Sequence, residues 1–360
     1  MTTIYGALGI SDSDRIFLNT LGQQVVYDAA RRVLADYNAD LVAARTIFVR
    51  GTTSDHAIRY KLPGSGRMQR VNRNSSGGAV KQSGQWDVAF PLEGFEDQLA
   101  VDRVSLAYMT TQDLAREIDT VQIRNTNTVR FEMLKALFNN TVRTFVDERV
   151  GSLSIKPLAG AGDGTLYPPV EGSETEATDD HYLGANFLSS AISDTNNPFE
   201  IIVPEIVEHF GGRSSSGDNV ITFINEAQYA KVAALADFVE VSDRFVRDGA
   251  NTAVPLALPT APGSIVGRMK NRTWVSVWNH VPADYMLGVH LEAEPPLMKR
   301  SDLQETGLPA ELDLVAQDND HPFQSSYYAH RFGFGVANRL NGVVLHVTNS
   351  TSYTIPSAFA

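Results

Sequence analysis

The sequence contains no cysteine. Disulfide bonds, thiolate metal sites and cysteine nucleophiles are therefore excluded. No apolar run approaches the roughly 20 residues that a helix needs to span a bilayer. The first residues, MTTIYGALGISDSDRIF, also lack the basic and then apolar regions of a secretory signal. We therefore expect a soluble protein that is made in a cytoplasm and does not contact a membrane.

Basic residues are also fewer than acidic ones. The chain has 30 Lys and Arg against 42 Asp and Glu, which gives a net charge of −12. A protein that holds nucleic acid mainly through its phosphates needs an excess of basic residues. Nucleic-acid binding is therefore not expected to be the principal function, although a local basic segment could still touch nucleic acid.

Motifs of catalysis are missing as well. The sequence has no G-x-S-x-G, H-E-x-x-H or S-x-x-K pattern. The segment GAGDG at 160–164 lacks the lysine of a P-loop and the spacing of a dinucleotide fingerprint, so it is interpreted as a flexible turn. We predict no enzyme, no catalytic residues and no cofactor.

Two groups of polar residues are candidates for chemistry. Asp318, Asp320 and His321 could ligate a metal, but they fall in a polar segment that is typical of a solvated turn. Glu205, Glu208 and His209 could serve acid–base catalysis, but they are predicted on one short helix, with apolar residues between them that fit an amphipathic helix and its solvated face. No metal site is predicted.

What is present is a chain of 360 residues with 43% hydrophobic and 20% charged residues, enough for a sizeable core or two domains. Its charges are segregated. Between Gly51 and Gln85 there is one acid, Asp55, and there are six basic residues: Arg59, Lys61, Arg67, Arg70, Arg73 and Lys81. Between Pro157 and Gly212 there are ten acids and no Lys or Arg. Such a pattern suits a surface that meets an oppositely charged one, and two unrelated solvated faces remain the alternative.

Hydrophobic periodicity predicts two helices in the first half of the chain. The first covers Leu21 to Leu34, and a strand is expected over Leu41 to Arg50. The second covers about 111–139, with Thr110 or Thr111 as cap and Asn139-Asn140 as stop, and would be about 43 Å long. Weak helix formers in its middle, IRNTNTVR, predict a bend or bulge there.

Residues 51–92 predict an unusual hairpin. Its ends, Ala57 to Leu62 and Gln85 to Leu92, are strand-like, whereas Gly64 to Gly84 has almost nothing to bury. A structureless loop of about 20 residues is uncommon inside a compact domain. A hairpin that leaves the domain and becomes ordered on a neighbouring subunit would explain it, and local disorder is the alternative.

The second half mixes short helices and strands. A strand pair is predicted over 141–158, short helices over 183–193 and 199–210, and a buried strand that enters a helix from Gln228 to Ala236. Strands and turns alternate over 265–294. The chain ends in a predicted β-hairpin with its turn at Asn341-Gly342.

This order of elements resembles the Hong Kong 97-type fold of tailed-phage major capsid proteins over nearly the whole chain. The resemblance is carried by five segments in the family's order. They are 51–92, FEDQLAVDRVSLAYMTTQDLAREIDTVQIRNTNTVRFEMLKALFNN (95–140), PFEIIVPEIVEHF through NVITFINEAQYAKVAAL (198–235), IVGRMKNRTWVSVWNHVPADYMLGVH (265–290) and HRFGFGVANRLNGVVLHV (330–347).

The resemblance implies an α+β chain with the family's domains. These are an N-terminal arm (1–48), an extended loop (49–94), a peripheral domain (95–157 and 295–348) with a spine helix at about 111–139, an axial domain (158–294) and a C-terminal tail (349–360). One branch of the family links its subunits covalently through a lysine and an asparagine, and this feature cannot be carried over to the present sequence. Lys81 lies near the loop tip, but no partner for a covalent cross-link can be identified by motif.

The resemblance also implies a function. The chain would assemble with itself into hexamers and pentamers of an icosahedral shell that encloses double-stranded DNA without sequence-specific contacts, in a virion assembled in the host cytoplasm. The six basic loop residues would lie over an adjacent subunit. Their possible acidic counterparts are Glu171, Glu174, Glu176, Asp179 and Asp180.

Further partners follow from the same comparison. No coiled-coil-like segment precedes the arm, so a separate scaffolding protein, or a scaffold removed beforehand, is implied, together with a portal and a decoration protein. Two alternatives remain open. One is an encapsulin-type nanocompartment shell, and the other is a monomeric β-rich hydrolase or carbohydrate-binding module.

Overall fold

The computed structural model describes residues 16–61, 67–68, 70–73, 85–98, 103–160, 162–209, 219–240, 261–270, 273–316, 323 and 326–360. Lys81 and the predicted turn with Asp318, Asp320 and His321 lie outside these ranges. The chain divides into two compact units. The first comprises 1–43, 92–132 and 300–333, and the second comprises 44–91, 133–299 and 334–360.

The described residues form a mixture of helices and strands. The helices are α1 (Leu18–Leu21), α2 (Gln23–Ala44), α3 (Arg103–Tyr108), α4 (Thr111–Phe138), α5 (Phe199–Val207) and α6 (Glu226–Val232). The strands are β1 (Val49–Thr53), β2 (Ala57–Lys61), β3 (Gln85–Ala89), β4 (Glu93–Gln98), β5 (Arg143–Asp147), β6 (Gly151–Ile155), β7 (Tyr182–Gly184), β8 (Val220–Ile224), β9 (Phe238–Glu240), β10 (Ser264–Met269), β11 (Thr273–Val277), β12 (Tyr285–His290), β13 (Leu297–Arg300), β14 (Asp313–Ala316), β15 (Ser326–Val336) and β16 (Val343–His346). None of these helices has the length and apolar character needed to cross a bilayer.

The first unit is built around α2 and the N-terminal part of α4. Val26, Ala30 and Leu34 on α2 share a buried cluster with Leu114 and Ile118 on α4. The strand predicted over Leu41 to Arg50 is wrong except at its last two residues, because the helix continues to Ala44 and β1 begins only at Val49. Alanine and leucine are strong helix formers, and they carry the helix through the segment in which valine suggested a strand.

The long helix was predicted correctly at both ends. Thr110 caps it: its Oγ1 accepts the backbone N–H of Asp113 (3.2 Å) and donates to Asp113 Oδ2 (2.7 Å). The bulge expected in its middle is absent, because α4 runs from Thr111 to Phe138 without interruption. Asn125 is buried there, where its amide donates to the Tyr37 hydroxyl (2.9 Å) and its Oδ1 lies 2.8 Å from His330 Nδ1. These tertiary contacts outweigh the weak helix propensity of asparagine.

The second unit is centred on a seven-stranded mixed sheet in the order β7-β16-β12-β8-β11-β10-β9. The strand predicted within VITFINEA (220–227) is its centre, β8, and all five residues of β8 are buried. It pairs in parallel with β11 and antiparallel with β12. A predicted strand pair is also present as β5 and β6.

Several local predictions for this unit need correction. The helix predicted over 183–193 is wrong, since β7 and a 3-10 turn at Ser189–Ala191 occupy it. The helix predicted over 199–210 is α5, which ends at Val207. The helix predicted from Gln228 begins at Glu226, where the Asn225 side chain accepts the N–H of Ala227, and it ends at Val232.

The closing β-hairpin is also wrong, because β15 and β16 belong to different sheets. The Asn341-Gly342 segment connects them without making a hairpin turn. Asn341 is fully buried, and its side chain accepts the backbone N–H of His290 (2.8 Å) and donates to the carbonyl oxygens of His290 (3.0 Å) and Glu294 (2.9 Å). A buried asparagine with three such partners serves a long-range contact, which a local turn signal cannot reveal.

Helix α5 packs closely on the sheet at Gly288 of β12. A Cβ atom added to Gly288 would lie 2.5 Å from Ile202 Cγ2 and 2.6 Å from Ile206 Cδ1, both on α5. Because real Cβ atoms do not approach other carbons so closely, this position requires glycine.

We predict that Gly288→Ala destabilises the protein by about 1–3 kcal/mol, since the core must shift to admit one methyl group. Thermal or denaturant unfolding measures the effect. Gly51→Ala is the matched control, because a Cβ atom on that strand residue meets nothing within 4 Å. Equal stability of the two variants would contradict the close approach of α5.

Candidate functional site

The hairpin predicted at 51–92 has the expected strands. β2 and β3 pair antiparallel from Ala57 opposite Ala89 to Lys61 opposite Gln85. Of the predicted tip, Gly64 to Gly84, the structure describes residues 67–68 and 70–73. All six of these residues are exposed, and Met68 is 99% exposed.

The base of the hairpin is fixed to its own chain by aromatic contacts. The Trp86 ring is buried and lies 5.7 Å from the Tyr60 ring and 5.5 Å from the Tyr167 ring, measured between centroids. Val88 and Phe90 next to it are fully buried. Such aromatic contacts bury large apolar areas and also favour defined ring geometries. The hairpin therefore begins from a well-defined position.

Tyr167 is in turn held by a buried ion pair. Its hydroxyl donates to Asp163 Oδ2 (2.9 Å), which also accepts a hydrogen bond from Arg339 Nη2 (2.5 Å). Burial alone would raise the pKa of Asp163, but the Thr165 backbone N–H and the Arg339 charge outweigh it and keep the pKa below its usual range.

This ion pair changes the interpretation of the GAGDG segment. The sequence predicted a flexible turn at 160–164, and the structure instead fixes Asp163 through Tyr167, Arg339 and the N–H of Thr165. Sequence analysis missed Trp86, Tyr167 and Arg339 as one group, because 172 residues separate Tyr167 from Arg339 and no spacing pattern links them.

The predicted basic residues have different surroundings. Arg59 is paired within the hairpin, since its Nε and Nη2 donate to the two carboxylate oxygens of Asp87 directly opposite (2.6 and 2.8 Å). Arg67 forms an ion pair with Glu174 of the same chain. Lys61, Arg70 and Arg73 are exposed, and Lys81 lies outside the described residues.

The predicted acidic residues are equally diverse. Glu171 and Glu174 are exposed, and Glu176 is half-buried. Asp180 accepts the backbone N–H of Tyr182 (3.1 Å), and Asp179 lies between two histidines of its own chain. The attraction between basic tip and acidic segment is thus present within one chain at Arg67, while pairing between subunits stays a prediction.

Glu205, Glu208 and His209 do not form the solvated helix face that the sequence suggested. The His209 side chain is 3% exposed, and His209 and Glu208 follow the end of α5. Burial, then repulsion from Glu208, Asp179 and Asp180, raises the pKa of Glu205 to about 8. Among the described residues, the ligand atoms of two overlapping groups lie close enough to hold a metal ion: Asp179, His181 and His209 in one, and Asp179, Glu205 and Glu208 in the other.

No family model matches the sequence, and no curated protein matches it. Solved structures do match the fold. A chain from Mycobacterium phage Patience aligns with a TM-score of 0.63 at 17% identity, over 99% of this chain and 98% of that chain. The chain has a Hong Kong 97-type capsid fold.

That alignment, together with the mixed helices and strands, confirms the predicted α+β capsid fold, and the predicted boundaries of arm, loop and domains stay a prediction. Two capsid structures align with lower TM-scores. The bacteriophage PhiM1 mature capsid gives a TM-score of 0.48 at 9% identity, over 84% of this chain and 86% of that chain. The capsid of the native GTA particle gives 0.44 at 10% identity, over 86% and 90%.

We predict that Trp86→Ala destabilises the protein by about 3–5 kcal/mol, because it removes the ring that joins the hairpin base to Tyr167. Trp86→Phe keeps an aromatic ring at this position and is the control, with a much smaller loss. Chemical denaturation followed by circular dichroism measures both. Similar losses for the two variants would show that ring contact does not anchor the hairpin.

Proposed function

We propose that this protein is a major capsid protein of a tailed bacteriophage, which assembles with itself into hexamers and pentamers of a closed icosahedral shell. The observation that carries the proposal is the alignment of almost the full length of both chains with the Mycobacterium phage Patience structure. The function of such a fold lies in contacts between copies, so no catalytic centre is required.

The hairpin supports this proposal. Its base is anchored by Trp86, whereas Met68 and Val71 in the tip are 99% and 59% exposed. Apolar side chains that extend from a charged tip gain most when a neighbouring copy covers them. In our proposal the tip lies over an adjacent subunit, where Arg70, Arg73 and Lys81 meet carboxylates such as Glu171.

Weak contacts suit assembly of this kind. An exposed ion pair contributes about 0–1 kcal/mol, so a single misplaced subunit can dissociate. Many copies of the same contact then stabilise the completed shell together. The net charge of −12 also disfavours tight binding of packaged double-stranded DNA, which has to move as the shell fills.

The remaining partners follow from the same proposal. A separate scaffolding protein would direct curvature during assembly in the host cytoplasm, a portal would occupy one vertex, and a decoration protein could bind the outer surface. An encapsulin-type shell is the alternative within the same fold, and nucleic acid inside purified particles distinguishes the two. A monomeric hydrolase would elute near 39.3 kDa on size exclusion.

Electron microscopy of the expressed protein, alone and with the scaffolding protein, tests the proposal directly. Closed shells or ring-shaped capsomers are expected. A protein that stays monomeric at high concentration under both conditions would overturn it.

We further predict that replacing residues 62–84 with Asn-Gly abolishes shell assembly and leaves the subunit folded. Lys61 and Gln85 lie directly opposite each other, so a two-residue turn can join the strands without changing their register. Sedimentation velocity reports assembly, and circular dichroism reports folding.

A second variant distinguishes the effect of the tip's charge on assembly from the effect of its length. Changing Arg67, Arg70, Arg73 and Lys81 to Gln keeps the tip but removes its charge. If only the shortened variant fails to assemble, the tip acts through contacts other than charge. If both fail, its basic residues are needed. Normal particles from both would contradict any role of the tip between subunits.

A further inference from the structure

Five ionisable side chains converge in the second unit. Asp179 and His181 immediately precede the edge strand β7, whereas Glu205 lies in α5 and Glu208 and His209 follow its end. Asp179 Oδ2 lies 3.0 Å from His181 Nε2 and also contacts His209 Nε2. Both histidine side chains are almost completely buried, at 0% and 3% exposure.

Both ring nitrogens of His181 face hydrogen-bond acceptors. Its Nδ1 lies 2.8 Å from the carbonyl oxygen of Gly342, and its Nε2 faces the Asp179 carboxylate. Both partners can only accept hydrogen bonds, but a neutral imidazole has a single N–H. Either His181 carries a second proton, or its Nε2 lone pair and the carboxylate share a cation.

The hydrogen bond to Gly342 is compatible with the cation. In a neutral His181 it places the proton on Nδ1 and leaves the Nε2 lone pair directed at Asp179. Metal-bound histidines almost always donate their second N–H in this way, which fixes the tautomer and the ring orientation.

His209 is the third donor, and Glu208 lies next to it. His209 Nε2 faces the same Asp179 oxygen and lies 3.6 Å from Glu208 Oε1. Its Nδ1 is buried without a hydrogen-bond partner among the described residues. The two rings are nearly parallel, 24° apart, so both present Nε2 to the carboxylate group.

The spacing also fits a metal. Zinc binds imidazole nitrogen and carboxylate oxygen at about 2.0–2.2 Å in tetrahedral geometry, so neighbouring ligand atoms lie roughly 3.3 Å apart. The distance of 3.0 Å from Asp179 to His181 is close to this value, and all three ligand atoms of Asp179, His181 and His209 lie within 4.8 Å of one another. Two imidazoles and a carboxylate suit a first-row transition metal better than the all-oxygen sites of Ca²⁺ or Mg²⁺.

We propose that Asp179, His181 and His209 bind one divalent transition-metal cation, with Zn²⁺ as the best match. Glu205 lies beside the site, where its carboxylate belongs to the same cluster of ligand atoms as Asp179 and Glu208. The cation compensates the buried negative charge of these carboxylates. It also connects the end of α5 to the residues that lead into β7.

The full-length protein without an affinity tag, dialysed against a chelator and then titrated with Zn²⁺ alone, tests the site. We expect one tightly bound Zn²⁺ per chain by elemental analysis and an upward shift of the melting temperature. Co²⁺ in place of Zn²⁺ should give the strong visible absorption of a tetrahedral complex. A chain that binds no Zn²⁺ and unfolds identically with and without it would overturn the proposal.

Variants locate the site on the chain. Asp179→Asn and His209→Gln should each weaken Zn²⁺ binding ~100-fold or more, since even loss of a supporting hydrogen bond to a metal ligand costs 10–100-fold. His280→Gln is the matched control, because His280 is an exposed histidine of the same unit. Unchanged Zn²⁺ affinity in the two site variants, or an equal loss in the control, would overturn the assignment. Circular dichroism without metal confirms that each variant is folded.

Discussion

The fold of the second unit depends on the buried guanidinium group of Arg339. It is fully buried, and it donates to the carbonyl oxygens of Pro157 (2.8 Å) and Leu158 (3.1 Å) and to the Asp163 carboxylate (2.5 Å). Burying an unpaired charge is costly, so these acceptors must be in place whenever the unit is folded. The requirement fixes the segment from 157 to 165, and through Tyr167 it supports Trp86 and the base of the hairpin.

The elements that could be predicted from sequence are those whose signal is local. The long helix has its cap at Thr110 and its stop at Asn139, and the hairpin strands alternate on either side of a tip with nothing to bury. Where sequence analysis failed, a distant partner determined the structure. Asn125 tolerates a helix interior because Tyr37 and His330 bind its amide.

The polar sites were harder to predict than the fold. Opposite charges in the hairpin pair locally, as Arg59 and Asp87 do, so a simple count of basic residues overestimates how many are available to another chain. His181 and His209 are 28 residues apart in sequence, and strand β7 and helix α5 bring them together. The local pattern of apolar residues indicated a solvated helix face for His209. That prediction failed because the burial of a side chain depends on the elements packed around it, which the local sequence does not show.

The Asn341 side chain has a consequence for how this protein tolerates crowding. Extending the register of β12 and β16 by two residues beyond Gly288 and Val343 places Asn341 opposite His290. There the amide side chain bonds both the N–H and the carbonyl of His290, as the backbone of a partner strand would. The Asn341 side chain thus continues the hydrogen bonds between β16 and β12 to His290. The backbone groups of His290 that it bonds are then not available to a strand from another chain. Protection of this kind matters most for a chain whose copies accumulate at high local concentration, where the same exposed backbone in every copy would promote aggregation.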